Sequence, residues 1–299
     1  MKTIPVIIDT DIGSDIDDTW ALAMALGCPE IDIKLITTCT GDTSYRAKIV
    51  CKFLQRVSRT DIPVGVGLTF DNLSENQKSY VDDYQLQDYP GSVVDDGVRA
   101  MADIIMQSDE KVTLICLGPL QNIAKLLQIE PRIVKNTRFV GMHGAIFRGY
   151  KGTHEVQAEY NIVQHVESAK EVFSSDLDMT ITPLDTCGTI ILDGDNYQAV
   201  AKANNKTMSE VMTNYEIWLR ALGVKNVETT SRSSTLFDTV AIYLALDTAL
   251  LEMQELCIKI TDEGKTIVDE NGKRINVAID WKDQRTFYDF LINRLVSAP

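Results

Sequence analysis

Five carboxylates fall within ten residues near the N-terminus: Asp9, Asp11, Asp15, Asp17 and Asp18, in the run DTDIGSDIDD. Side chains of this kind gather a hard divalent cation or move protons. Like charges about 4 Å apart repel by several kcal/mol at the effective dielectric of a protein surface. Such a cluster must be solvated, partly protonated or neutralised by a cation. Its ligands are all oxygen, which suits Ca2+ or Mg2+ and not zinc. One of Asp15, Asp17 and Asp18 is expected to cap the helix that follows, since capping needs a single side chain. Capping leaves unexplained Asp9 and Asp11, which alternate at the end of an apolar strand. A metal or catalytic site accounts for them. An EF-hand does not, because no Gly and closing Glu fall at its required offsets from Asp9 or Asp11.

The elements that must hold these acids are legible from periodicity. Short β-rich runs at 4–8, 31–38, 63–66, 111–117, 137–142 and 179–183 alternate with stretches of helical period at 18–26, 44–57, 97–107, 121–127 and 165–173. Strands apolar throughout, each followed by a helix, predict a doubly wound, mostly parallel α/β sheet with helices on both faces. The stretches 196–222 and 236–246 read as helical, with a polar segment at 226–235 between them. The runs 253–261 and 275–279 flank Asn271-Gly272 and predict an antiparallel extension, and 283–296 a closing helix. Residues 71–96 lack periodicity, and a loop of that length in a compact domain usually serves function. In such sheets the site lies beyond the C-terminal strand ends.

The whole composition is that of a globular chain. Of 299 residues, 44% are hydrophobic and 24% charged, which excludes disorder. No repeat or Pro/Gly-rich linker divides residues 1–299, so one domain is expected. The net charge of −14 argues against a nucleic-acid partner. No apolar run approaches the roughly 20 residues of a membrane span. Six cysteines without paired spacing, and an N-terminus that runs straight into a strand, predict free thiols in a reducing cytoplasm.

The segment DTDIGSDIDDTWAL (9–22) resembles the N-terminal signature DTDPGxDDAxA of the inosine-uridine-type nucleoside hydrolases. Four further stretches follow in that family's order. LGPLQNIAKLL (117–127) resembles TGPLTNIA, and FVGMHGA (139–145) resembles MGGA. AEYNIVQHVESAKEVF (158–173) resembles AEFNxxxDPEAA, and LFDTVAIYLAL (236–246) the HDPLA helix. The resemblance implies a Ca2+-dependent enzyme that cleaves the N-glycosidic bond of ribonucleosides with water, and a homodimer or homotetramer. Carried over residue by residue, it makes Asp11 a metal ligand and the general base. Asp18, the Leu117 carbonyl and Asp238 become further metal ligands. Asp17, Glu159 and Asn161 would bind ribose, with Asp42 and Met142 also at the substrate. Those roles suit an oxocarbenium-like transition state in a carboxylate-lined pocket.

Three departures bear on the substrate. Two extra residues, Asp15-Ile16, precede Asp17-Asp18, so Asp15 competes for one of the assigned places. Asp42 stands where the family has Asn. Phe237 stands where the family's inosine-uridine branch has the His that protonates the departing base. An aromatic residue there, as in a purine-specific branch, stacks on the base and favours purine or modified-purine nucleosides; packing of Phe237 against the core is the alternative. Trp20, Tyr80, Tyr84, Tyr89, Trp218 and Arg232 are candidate base contacts, and His143 is expected to be structural more than functional. Two other readings compete: a phosphatase with Asp9 as nucleophile and Asp11 as acid, and a nucleoside- or ribose-binding relative that has lost turnover.

Overall fold

The apolar run IPVIIDT forms β1 (Ile4–Thr10), the central strand of a computed structural model that describes residues 3–70 and 74–299. It pairs in parallel with β2 (Ile31–Thr38) on one side and β5 (Val112–Cys116) on the other. From β2 the chain builds outward through β3 (Val64–Val66) and β4 (Val93–Val94). It then returns to the centre and builds the other way, through β5, β6 (Thr137–Met142) and β7 (Asp178–Thr182), all parallel. Strand β10 (Lys273–Trp281) adds in parallel to β7. Beside it run antiparallel β8 (Leu251–Ile260) and β9 (Thr266–Val268), giving the order β4-β3-β2-β1-β5-β6-β7-β10-β8-β9. The direction of building reverses between β1 and β5, and crevices at such reversals are where parallel sheets hold ligands.

Alternation along the strands sends apolar side chains to both faces, so Ile7 and Ile8 lie in separate buried clusters. One face carries α3 (Gly97–Gln107), α4 (Gln121–Ile129) and α6 (Val166–Ser174). The other carries α1 (Asp17–Leu26), α2 (Thr43–Arg56), α9 (Lys206–Ala221), α10 (Thr239–Leu246) and α11 (Gln284–Val296). Every residue of α1 is buried, as is all of α10 but its last residue. A helix apolar all round must sit in the interior, and these two pack against each other over the sheet.

The parallel sheet with helices on both faces and an antiparallel extension is as expected. Three details differ. The stretch 196–222 is two helices, α8 (Gly194–Ala201) and α9, because Asn205 turns its side chain onto the Met208 N–H and starts a new helix. Asn271-Gly272 turns the chain between β9 and β10, and β9 had no signal of its own. Within 71–96 the structure has the short edge strand β4 and two single 3-10 turns; residues 71–73 lie outside the described residues. No helix among the described residues is long and apolar enough to cross a membrane.

Candidate active site

The strand ends at the reversal point open onto a cavity of about 540 Å3. Asp11 follows β1, Leu117 follows β5 and Met142 ends β6, and all three line it. Asp11 lies across Gly118: a Cβ on that glycine would come within 2.7 Å of the Asp11 carboxylate, so only Gly fits beneath it. Gly13 has φ +114°, and a Cβ there would strike the Tyr45 ring, whose hydroxyl donates to the Gly13 carbonyl at 3.0 Å. The turn is held from below by Arg46, which is 1% exposed. Its guanidinium donates to the carbonyls of Asp11, Ile12 and Thr40 and to the Ser14 hydroxyl.

Asp17 and Asp18 occupy the first turn of α1, where the exposed N–H groups favour negative charge. Asp238 sits at the start of α10. The packing of α1 against α10 brings these residues, more than 200 positions apart, to one point. Carboxylate oxygens of Asp17, Asp18 and Asp238 lie within 4.8 Å of one another, all buried. Burial pushes each carboxyl well above the usual range, and mutual repulsion adds to it. Thr10 donates to Asp18, but no basic side chain pairs with these three among the described residues. A buried, all-oxygen trio with unbalanced negative charge fits a hard divalent cation.

Asp11 stands beside the trio and outside it. Burial raises its carboxyl to about 6, against the pull of the Arg46 guanidinium. Glu159 accepts from the N–H groups of Asn161 (2.6 Å), Gly144 (3.0 Å) and Ile162 (3.3 Å). Burial nevertheless pushes Glu159 up to about 7, the three N–H groups offsetting part of the rise. The Asn161 amide donates to the carbonyls of Leu117 (2.7 Å) and Met142 (3.0 Å), tying β5 to β6 at their ends.

The remaining wall is aromatic. Phe237 meets Tyr150 edge-on, with ring centroids 6.0 Å apart at 85°. Across the opening Trp218 stacks on Tyr215 and donates its indole N–H to the Ser14 carbonyl at 3.2 Å, where Asn76 also donates at 2.7 Å. Tyr160, Gln164 and Leu222 complete this side.

Residues 6–289 match the family model of the inosine-uridine preferring nucleoside hydrolases. The chain belongs to that family. It is 28% identical over 288 residues to a non-specific ribonucleoside hydrolase of Klebsiella pneumoniae, covering 90% of each chain. A second such protein from another strain of that species is 33% identical over 215 residues, 68% of each chain. In structure it is similar to a plant nucleoside hydrolase (TM-score 0.82, 19% identity, 99% of each chain). A purine-preferring ribonucleoside hydrolase from Gardnerella vaginalis superposes at a TM-score of 0.79, with 21% identity and 98% and 99% of the two chains covered. As a nucleoside hydrolase the protein is a hydrolase of N-glycosyl bonds, from a family of metal-dependent enzymes.

Of the site residues expected from sequence, Asp11, Asp17, Asp18, Leu117, Met142, Glu159, Asn161, Phe237 and Asp238 line this cavity of the nucleoside hydrolase together. Asp42 does not. It is exposed and caps α2, accepting from the N–H groups of Ser44 (2.9 Å) and Tyr45 (3.0 Å). Asp17, Asp18 and Asp15 do not cap α1, whose N-cap is Ile16 with no side-chain bond; this leaves the trio free. Asp15 lines the cavity mouth but accepts from the Ile16 N–H and stays outside the trio. Asp9 is 0% exposed on the far side of β1, bonded to Thr37 (2.6 Å) and Asn122 (2.8 Å). A nucleophile cannot work from there, which removes the phosphatase reading. Of the candidate base contacts, Trp218 reaches the cavity; Trp20, Tyr80, Tyr84, Tyr89 and Arg232 do not. His143 is buried among Phe139 and Phe173 with a ring nitrogen on the Gly118 carbonyl at 3.1 Å. Sequence reasoning missed Arg46, Asn76, Tyr150, Tyr160 and Gln164. Arg46 alone left a trace, as a cation on an otherwise inward-facing stretch of α2.

Proposed function

We propose that the protein hydrolyses ribonucleosides to free base and ribose, with purine or modified purine bases preferred, using Ca2+ at the Asp17–Asp18–Asp238 trio. The convergence of that trio with Asp11, Glu159 and Asn161 on one cavity carries this reading. Asp18, Asp238 and the Leu117 carbonyl would hold the cation, which would supply an anchor for the ribose diol and acidify water. Asp17, in the same trio, would reach both the cation and the diol. Asp11, outside the trio and raised toward neutrality by burial, takes a proton from the attacking water. Glu159 and Asn161 grip the sugar, and the surrounding carboxylates favour the positive charge that develops on it. Phe237 offers a ring for the base, which suits purines through their larger stacking area.

The test is release of free base from purine, pyrimidine and 7-deazapurine nucleosides, with and without a chelator. Base release that a chelator abolishes and Ca2+ restores is expected, fastest on purines. Asp11→Asn should lower kcat by about 10^3-fold or more while the fold survives. Tight nucleoside binding with no base released would favour the binding-protein reading instead.

A further inference from the structure

If Phe237 stands where a proton donor is expected, something else must meet the departing base. None of the three histidines does so: His143 is buried behind the strand ends, and His154 and His165 do not line the cavity. Several donors on the walls are already spent. The Asn161 amide serves Leu117 and Met142, and Asn76 and Trp218 both serve the Ser14 carbonyl.

Of the donors left, which include the Tyr160 phenol and the Gln164 amide, Tyr150 has its hydroxyl held in place by a hydrogen bond. Its phenol oxygen accepts from the Tyr160 N–H at 3.0 Å, and no protein acceptor takes its own proton among the described residues. A hydroxyl that accepts from an amide becomes a stronger donor through cooperative polarisation. The ring stands edge-on to Phe237, and the hydroxyl, on the Tyr160 N–H, lies beside Glu159 in the same cavity. The backbone fixes it there: Gly149 N–H donates to the Thr153 carbonyl at 2.8 Å, and Lys151 takes φ +59°, turning its own side chain to solvent. Burial pushes the Tyr150 phenol up, so it keeps its proton at neutral pH.

We propose that Tyr150 is the catalytic donor to the leaving group, hydrogen-bonding the base as it departs; this rests on the ribonucleoside-hydrolase reading above. As the C–N bond breaks, its electron pair goes to the base nitrogen. Water oxygen bonds the anomeric carbon and its proton passes to Asp11. The Tyr150 O–H stabilises the charge on the base, which draws its proton from solvent on release.

The test compares Tyr150→Phe with the unaltered enzyme on inosine, adenosine and p-nitrophenyl β-D-ribofuranoside, whose nitrophenolate leaves without a donor. Loss of one hydrogen bond to a charged group predicts a kcat fall of about 10- to 100-fold on the nucleosides. The nitrophenyl riboside, which also reports an intact sugar site, should change by less than about 3-fold, within the range of a neutral surface change. Equal falls on all three substrates, or no fall on any, overturn the proposal. So does an unaltered enzyme that cleaves the nitrophenyl riboside but no nucleoside. An unaltered enzyme that cleaves none of them overturns the ribonucleoside-hydrolase reading itself.

Discussion

The cavity has two unlike walls. One is built from strand ends: Asp11 after β1, Leu117 after β5 and Met142 on β6, with Asn161 bridging the last two carbonyls. Each of these groups is fixed by a sheet ladder within a few residues, and the polar atoms face one another at hydrogen-bond distance. The other wall is built from loops and helix ends: Tyr150, Trp218, Leu222 and Phe237. It is apolar, and its side chains are placed by packing of long elements rather than by a ladder. The contrast is between a polar wall fixed by the sheet and an apolar one set by the packing of loops and helix ends.

Asp238 joins the two, since it completes the acidic trio from the apolar side next to Phe237. Asp238→Asn should therefore produce opposite signs in two measurements. Turnover should fall by about 10^2- to 10^4-fold, as one ligand of the trio is lost. Stability in the presence of chelator should rise by about 0.5–2 kcal/mol, because one of three mutually repelling buried charges is gone. Calcium should then raise the melting temperature of the parent more than that of the variant. If both proteins lose stability on chelation alike, the trio is not where the cation binds.

The strand wall owes its rigidity to what fills the space behind it, and His143 tests that. Burial holds this imidazole near 4, below its ordinary 6.5, so the fold accepts only the neutral ring. The stabilising difference is fully present above pH 6.5 and is lost as pH falls toward 4, where the unfolded chain gains a proton that the native one refuses. A shift of this size is worth about 3 kcal/mol. His143→Gln can still donate to the Gly118 carbonyl and carries no charge. Its stability relative to the parent, from denaturant unfolding at several pH values, should improve by up to that amount between pH 6.5 and 4. Parallel curves for the two proteins would mean that His143 is hydrated, and the strand wall softer than its packing implies.

How far the sequence could be read follows the same division. The apolar runs at 4–8, 31–38 and 137–142 and the acids at 9–18 sit on short-range patterns, period two along a strand and a turn at its end, which survive in any tertiary context. The resemblance then supplied Glu159, Asn161 and Asp238, whose convergence no local pattern reveals. What failed depended on competition between local and distant partners. An aspartate beside Thr43 is as good a helix cap as a ligand, and Asp42 caps. Asn205 inside an otherwise helical stretch gave no sign that it would begin α9. Aromatic residues in loops without periodicity carry no address: Trp218 reaches the cavity, while Tyr80 turns away to Glu210 at 2.6 Å. Tyr150 was invisible for the same reason, and neither β4 nor β9 is long enough to show alternation.

The apolar wall makes the gentlest prediction and the one that reads selectivity directly. Phe237 is half-buried, packed by Tyr150 on one side and open to the cavity on the other. Removing a stacked ring costs about 1 kcal/mol for a purine, a five- to tenfold loss of kcat/KM, and less for a pyrimidine with its smaller face. Phe237→Ala should therefore lower kcat/KM on inosine and adenosine several-fold more than on uridine. Phe237→Trp should keep or widen the purine preference, because it enlarges the ring without changing the chemistry of the acidic wall. Equal losses on all bases would show that Phe237 only props Asp238 against the trio; the two walls would then act as one unit, and base choice would have to come from Trp218 and Tyr160 across the opening.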